Sequence, residues 1–114
     1  MIKFIEKHKQ KNEFSKGYNY NYTFLLETVE HVTLKGTKFK LETYGFVTQD
    51  VNLPEPNYEC LDFYYVKTIV YYNNKLVIGN DGIPGNVKKA KKWLSKETNE
   101  NKVLNGKGYP IKST

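Results

Sequence analysis

Alternation dominates the first half of the chain. Tyr18, Tyr20, Tyr22, Phe24 and Leu26 stand at every second position, with Asn19, Asn21, Thr23, Leu25 and Glu27 between them. That is the two-residue period of a strand with one buried face. Lys35-Gly36 reads as a two-residue turn, so residues 18–34 and 37–49 are predicted to form a long hairpin. This turn sets Val32 opposite Phe39, Leu26 opposite Gly45 and Phe24 opposite Val47. On the other face it sets Thr33 opposite Lys38, His31 opposite Lys40, Glu27 opposite Tyr44 and Leu25 opposite Phe46. One face is then mostly apolar and the other mostly polar, as a half-buried ribbon requires. Gly45 marks a candidate bulge.

A second hairpin is predicted at residues 62–72 and 75–79, around Asn73-Asn74, residues that tolerate positive φ. Val70 faces Val77 and Ile69 faces Ile78. Both faces are apolar, which places this hairpin in the interior of the sheet. Between the hairpins, Pro54 and Pro56 exclude a central strand and predict an ordered loop or extended arm over residues 50–58.

The period changes after the turn-rich run Asn80-Asp81-Gly82-Ile83-Pro84-Gly85-Asn86. Asn86 is a good helix cap. Val87, Ala90, Trp93 and Leu94 fall on one arc about 120° wide at ~100° per residue. An amphipathic helix is therefore predicted over residues 86–97, with Trp93 anchoring it to the sheet. Residues 2–8 fit either a strand or a short helix. Val103-Leu104 and Tyr109 to Ile111 flank Asn105-Gly106 and fit a C-terminal hairpin. The expected fold is a single α+β domain over residues 1–114. It is a twisted antiparallel sheet of four to five strands, curled toward a small barrel, with one helix packed on it.

Charge sharpens this picture. All 18 basic side chains are lysine. Residues 1–16 hold five Lys against two Glu, and residues 86–114 hold eight Lys against two Glu. The centre, residues 17–85, holds five Lys against eight acidic side chains. On the predicted helix, Lys88, Lys89, Lys91, Lys92 and Lys96 fill the face opposite Trp93. Such a face suits the phosphate backbone of a nucleic acid or of a nucleoprotein complex, and binding would be strongly salt-dependent. Arginine, which reads guanine edges with a planar fork, is absent, so base discrimination is expected to be weak. A solvated face is the competing reading for any run of charge. Lys88 and Lys89 stand in the first turn, where the helix dipole disfavours cations.

The stripe Tyr18, Tyr20, Tyr22 offers rings on which bases stack, or anchors for a protein partner. It runs straight on into Phe24 and Leu26, which points first to the core face of a strand. The Asp81-Gly82…Gly85 loop lacks the P-loop spacing and reads as a turn. His31 on the polar face diverges from Glu30, and Cys60 beside Glu59 and Asp62 forms no nucleophile–base pair. No Cys/His cluster has metal spacing, and no cofactor motif is present.

The absence of a secretory signal in Met1 to Gln10 and the single cysteine point to the cytoplasm, and no apolar run is long enough for a membrane. The Asn21-Tyr22-Thr23 glycosylation pattern then carries little weight. Twelve Asn, ten Tyr and the lysines are spelled with A and T, which suggests a low-GC bacterium or its phages. The function expected is a non-enzymatic binding protein that engages nucleic acid or a nucleic-acid-carrying complex. A phage or mobile-element inhibitor of a host nuclease system would fit. The alternatives are a protein–protein module and a small ribonuclease-like toxin using Tyr, Lys and His31.

Overall fold

The ambiguous N-terminal segment is a strand. In the computed structural model, which describes residues 2–57, 63, 65–78 and 82–105, Lys3–Lys11 forms β1 and pairs antiparallel with β2, Tyr18–Val32. Then follow β3 (Lys38–Asp50), β4 (Tyr65–Tyr72), β5 (Lys75–Leu76) and β6 (Ile83–Pro84). The sheet order is β1-β2-β3-β4-β5, antiparallel throughout. β6 also pairs with β4, so β5 and β6 share the edge of β4 left free by β3. The α+β class stands, with a sheet of more strands than expected and two short helices, α1 (Val87–Leu94) and α2 (Glu97–Leu104).

Two predicted features give way. The helix expected over 86–97 breaks after Ser95, at Lys96, whose own backbone is extended (φ −82°, ψ 122°). Ser95 Oγ donates to Lys92 O (2.6 Å), and Asn99 Nδ2 donates to Trp93 O (2.9 Å), so side chains take over carbonyls at the end of α1. Val103-Leu104, expected as a strand, closes α2 instead. Tyr109 to Ile111, Asp81, Cys60 and the outer limits Asp62 and Gly79 of the second hairpin lie outside the described residues.

The register of the long hairpin is also corrected. Gly36 N donates to Thr33 O and Thr33 N donates to Thr37 O (both 2.9 Å), which makes Leu34-Lys35-Gly36 a three-residue loop. Gly36 takes the positive φ (89°) that such a loop needs after its first turn. His31 therefore pairs with Phe39, not Lys40, and Val32 pairs with Lys38 and is exposed. A second irregularity falls between Leu25 and Glu27. It restores the predicted face for Tyr18 to Phe24 but turns Glu27, Val29 and His31 to the side of Phe39 and Leu41, where Val29 and His31 are half-buried and Glu27 stays exposed, because an added residue inverts every side chain beyond it. The Asn73-Asn74 turn forms as expected, both residues at positive φ (51° and 64°), with Val77 N donating to Val70 O.

The sheet now has two distinct faces. One carries Phe39, Leu41, Thr43, Gly45 and Val47 of β3. At one end of it α1 and α2 bury Val87, Ala90, Leu94 and Val103 on Phe39, Leu41, Val70, Ile78 and Ile83. Trp93 is half-buried and packs on this core. At the other end Tyr22, Phe24 and Val47 pack with Phe63 and Leu26. Gly45 admits the Phe63 ring: a Cβ there would lie 2.6 Å from Phe63 Cδ1. Among the described residues the opposite face carries no helix. There the sheet curls into a half-barrel around a cavity of about 290 Å³, lined from Ile5 on β1 through Thr23, Tyr44 and Ile69 to Leu76 on β5.

Candidate nucleic-acid interface

α1 presents its lysines because its other side is fastened in three places. Val87, Ala90 and Leu94 are buried. Asn86 caps the N-terminus, its Oδ1 accepting from Lys89 N at 3.3 Å. Gly85, one residue earlier, donates its N–H to Val66 O (2.8 Å) and accepts from Thr68 Oγ1 (2.8 Å), which ties the helix start to β4. Lys88, Lys89, Lys91 and Lys92 are left exposed on the solvent side, and Lys96 is exposed in the break before α2. Among the described residues no carboxylate stands within ion-pair distance of these five. The first turn of α1 holds no acid to offset its two cations.

The tyrosine stripe divides. Tyr22 is 3% exposed and belongs to the core, stacked on Phe24 (centroids 6.2 Å apart, planes at 10°). Tyr20 is half-buried and Tyr18 is 44% exposed. Neither of the outer rings is bare. Lys7 Nζ lies 4.6 Å from the centroid of Tyr20, and Lys9 Nζ lies 4.8 Å from that of Tyr18. Lys7 pairs in register with Tyr22, Lys9 with Tyr20 and Lys11 with Tyr18, so the first two lysines each lean one pair along the ladder.

Lys7, Lys9 and Lys11 are the residues sequence reasoning missed. Their signal was the alternation Lys7-His8-Lys9-Gln10-Lys11, which has the strand period. What it could not show is the side on which they fall. A register shift between Phe4 and Glu6 places them on the same side as Phe4, and so on the side of the sheet that bears the helices. The loop after β3 reaches this ladder: Glu55 Oε1 lies 3.4 Å from Lys7 Nζ, and Gln49 Nε2 donates to Pro54 O (2.7 Å).

His31 is not the solvated neighbour of Lys40 that the two-residue turn implied. Its Nε2 is buried without a hydrogen-bond partner. Burial, together with Lys91 of α1, lowers its pKa from 6.5, and Glu100 of α2 opposes that shift. Glu100 is 2% exposed and accepts from Thr33 Oγ1 at 2.9 Å. This cluster lies between sheet and helices, with Thr33 and Glu100 buried and His31 half-buried. On the open face, Tyr44 donates to Glu42 Oε1 (3.1 Å), and burial with that carboxylate pushes its pKa up to about 12. Among the described residues no three His, Cys, Asp or Glu side chains gather as a metal site, and no helix is long and apolar enough to cross a membrane.

Comparison of the chain with protein-family models, curated proteins and solved structures returns no match, so the interface rests on its own geometry.

Proposed function

We propose that this protein is a non-enzymatic binder of nucleic acid that grips the phosphate backbone with the helix-bearing side of its sheet. One observation carries the reading: two lysine groups far apart in sequence share one side. Lys88, Lys89, Lys91, Lys92 and Lys96 come from the helices, and Lys7, Lys9 and Lys11 from β1. Point charges from separate elements on one side of the sheet favour a polyanion, and ammonium groups without arginine favour backbone over base contacts. Fluorescence anisotropy with labelled DNA and RNA, titrated with salt, tests it. Binding that weakens linearly in log–log form with added salt is expected. No binding at low salt would refute it.

The open face supports a second reading. Tyr65, Ile5 and Leu76 are each more than 40% exposed along the half-barrel cavity or beside it, where aromatic anchors suit a protein partner. Charge reversal of Lys88 and Lys92 separates the two: it weakens backbone binding at least tenfold and leaves an aromatic docking face intact.

A further inference from the structure

We infer that the β1–β2 ladder is a track for single-stranded nucleic acid, read by its phosphates, and that Glu55 occupies the first position of that track in the free protein. The inference rests on the nucleic-acid reading above and specifies the form of nucleic acid and the residues that hold it.

Spacing selects the single strand. Lys7, Lys9 and Lys11 are alternate residues of one strand, so their Cα atoms stand about 6.5 Å apart in a nearly straight row. An extended strand of nucleic acid can lay successive phosphates along such a row. A duplex carries its charges at about 3.4 Å of axial rise per strand and winds them away around its axis. A straight row on a sheet edge therefore meets few of them. β1 is an edge strand and all nine of its residues are exposed, so the row is open to approach apart from its first position, where Glu55 of the loop after β3 lies 3.4 Å from Lys7.

The rings set the mode of reading. With Lys7 over Tyr20 and Lys9 over Tyr18, the ring faces on this side are already covered by ammonium groups. The tyrosines hold the lysines upright by cation–π attraction and present charge, not a stacking surface. Sequence-tolerant phosphate contact follows, in contrast to the base stacking of aromatic platforms.

Glu55 completes the picture. Its carboxylate sits 3.4 Å from Lys7 Nζ and is itself 77% exposed, on a loop held by the Gln49–Pro54 hydrogen bond. It stands where a phosphate oxygen would stand. A bound strand must displace it, and the displaced carboxylate then repels the strand.

The test uses the full chain with labelled oligo-dT and a duplex of equal length, each titrated from low to moderate salt. Lys9→Gln/Lys11→Gln should make the single-strand salt slope shallower by about 1.4, at roughly 0.7 per lost contact. Glu55→Gln should strengthen single-strand binding several-fold. Lys40→Gln removes one lysine from the open face, where Lys40 lies over Tyr71, and should leave the slope unchanged. An unchanged slope in Lys9→Gln/Lys11→Gln, or an equal loss in Lys40→Gln, overturns the track while the basic side keeps its general role. Equal changes for duplex and single strand overturn the selection. Failure of the unaltered protein to bind either probe at low salt removes the nucleic-acid reading itself.

Discussion

Thr68 fastens the lysine-bearing helix to the sheet, and its replacement by valine should cost more than the same change at Thr43. Both threonines are buried, at 0% and 1% exposure, and their hydroxyls lie 2.8 Å apart. Thr68 Oγ1 also lies 2.8 Å from Gly85 O, a pure acceptor. A hydroxyl has one hydrogen, so Thr68 gives it to Gly85 and Thr43 must give its own to Thr68. The relay is directional. Thr68→Val removes both bonds, orphans the Thr43 hydroxyl in the core and leaves Gly85 O short of a donor. At about 1 kcal/mol net per bond, with an added penalty for the orphaned hydroxyl, the loss is about 2–3 kcal/mol. Thr43→Val removes one bond and leaves only a spare lone pair on Thr68, a loss of about 1 kcal/mol or less.

The assay is equilibrium unfolding in urea, followed by fluorescence of Trp93, the single tryptophan and a residue packed on the helix core. The double variant should lose about 1–2 kcal/mol less than the two singles summed, because the bond between the threonines can be lost only once and no hydroxyl is left orphaned. A domain of this size is stable by roughly 5–15 kcal/mol, so these differences are measurable. If Thr43→Val proved as damaging as Thr68→Val, or the two effects simply added, the directional relay would be wrong.

Gly45→Ala should destabilise by about 1–3 kcal/mol through overpacking, since the new Cβ meets Phe63 Cδ1 at 2.6 Å and Leu26 Cδ1 at 3.0 Å. A second change, Phe63→Leu, should recover part of that loss in the urea midpoint. His31 gives a pH signature: its folded-state pKa lies below 6.5, so the unfolded chain takes up the proton first. Stability should be intact above about pH 6.5 and fall as pH drops from there through the lower folded value, and His31→Gln should flatten that part of the curve. Tyr44 is expected to resist ionisation up to about pH 12, and stability should decline as pH rises from 10 toward that value. Phenolate absorbance in Glu42→Gln should show its titration moving down. On the binding side, Lys88→Glu/Lys92→Glu should lower nucleic-acid affinity at least tenfold at low salt without changing the unfolding free energy from urea titration by more than about 0.5 kcal/mol.

What the sequence made legible is what short-range physics decides. Asn73-Asn74 announced a turn because few residues accept positive φ, and the local register behind it followed. Val87, Ala90 and Leu94 announced a buried helix side because their spacing matches the helical period. The break at Ser95 and Lys96 was illegible, because nothing in the hydrophobic pattern registers a side chain capping a carbonyl. Glu100 was illegible for a stronger reason. A carboxylate that is 2% exposed contradicts every burial rule until its partner, Thr33, is known, and that partner is 67 residues away. Lys35, which donates to Asn101 Oδ1 at 2.8 Å, joins the same turn to the same helix.

The irregularities of β1 and β2 bear most directly on the proposed interface. Strict alternation from Phe4 would have grouped Glu6, His8 and Gln10 with the core side and sent Lys7, Lys9 and Lys11 to the open face. The shift between Phe4 and Glu6 reverses that assignment and sets the lysines over Tyr18 and Tyr20. The shift at Leu26 does the converse in β2, turning His31 and Val29 under the helices while Thr28 and Glu30 take the open face. Each is a one-residue event, and each decides the side on which a whole run of side chains stands. The composition of the chain fixes how much positive charge there is. The shift in β1 fixes that Lys7, Lys9 and Lys11 stand on the helix-bearing side, where the proposed polyanion would meet them.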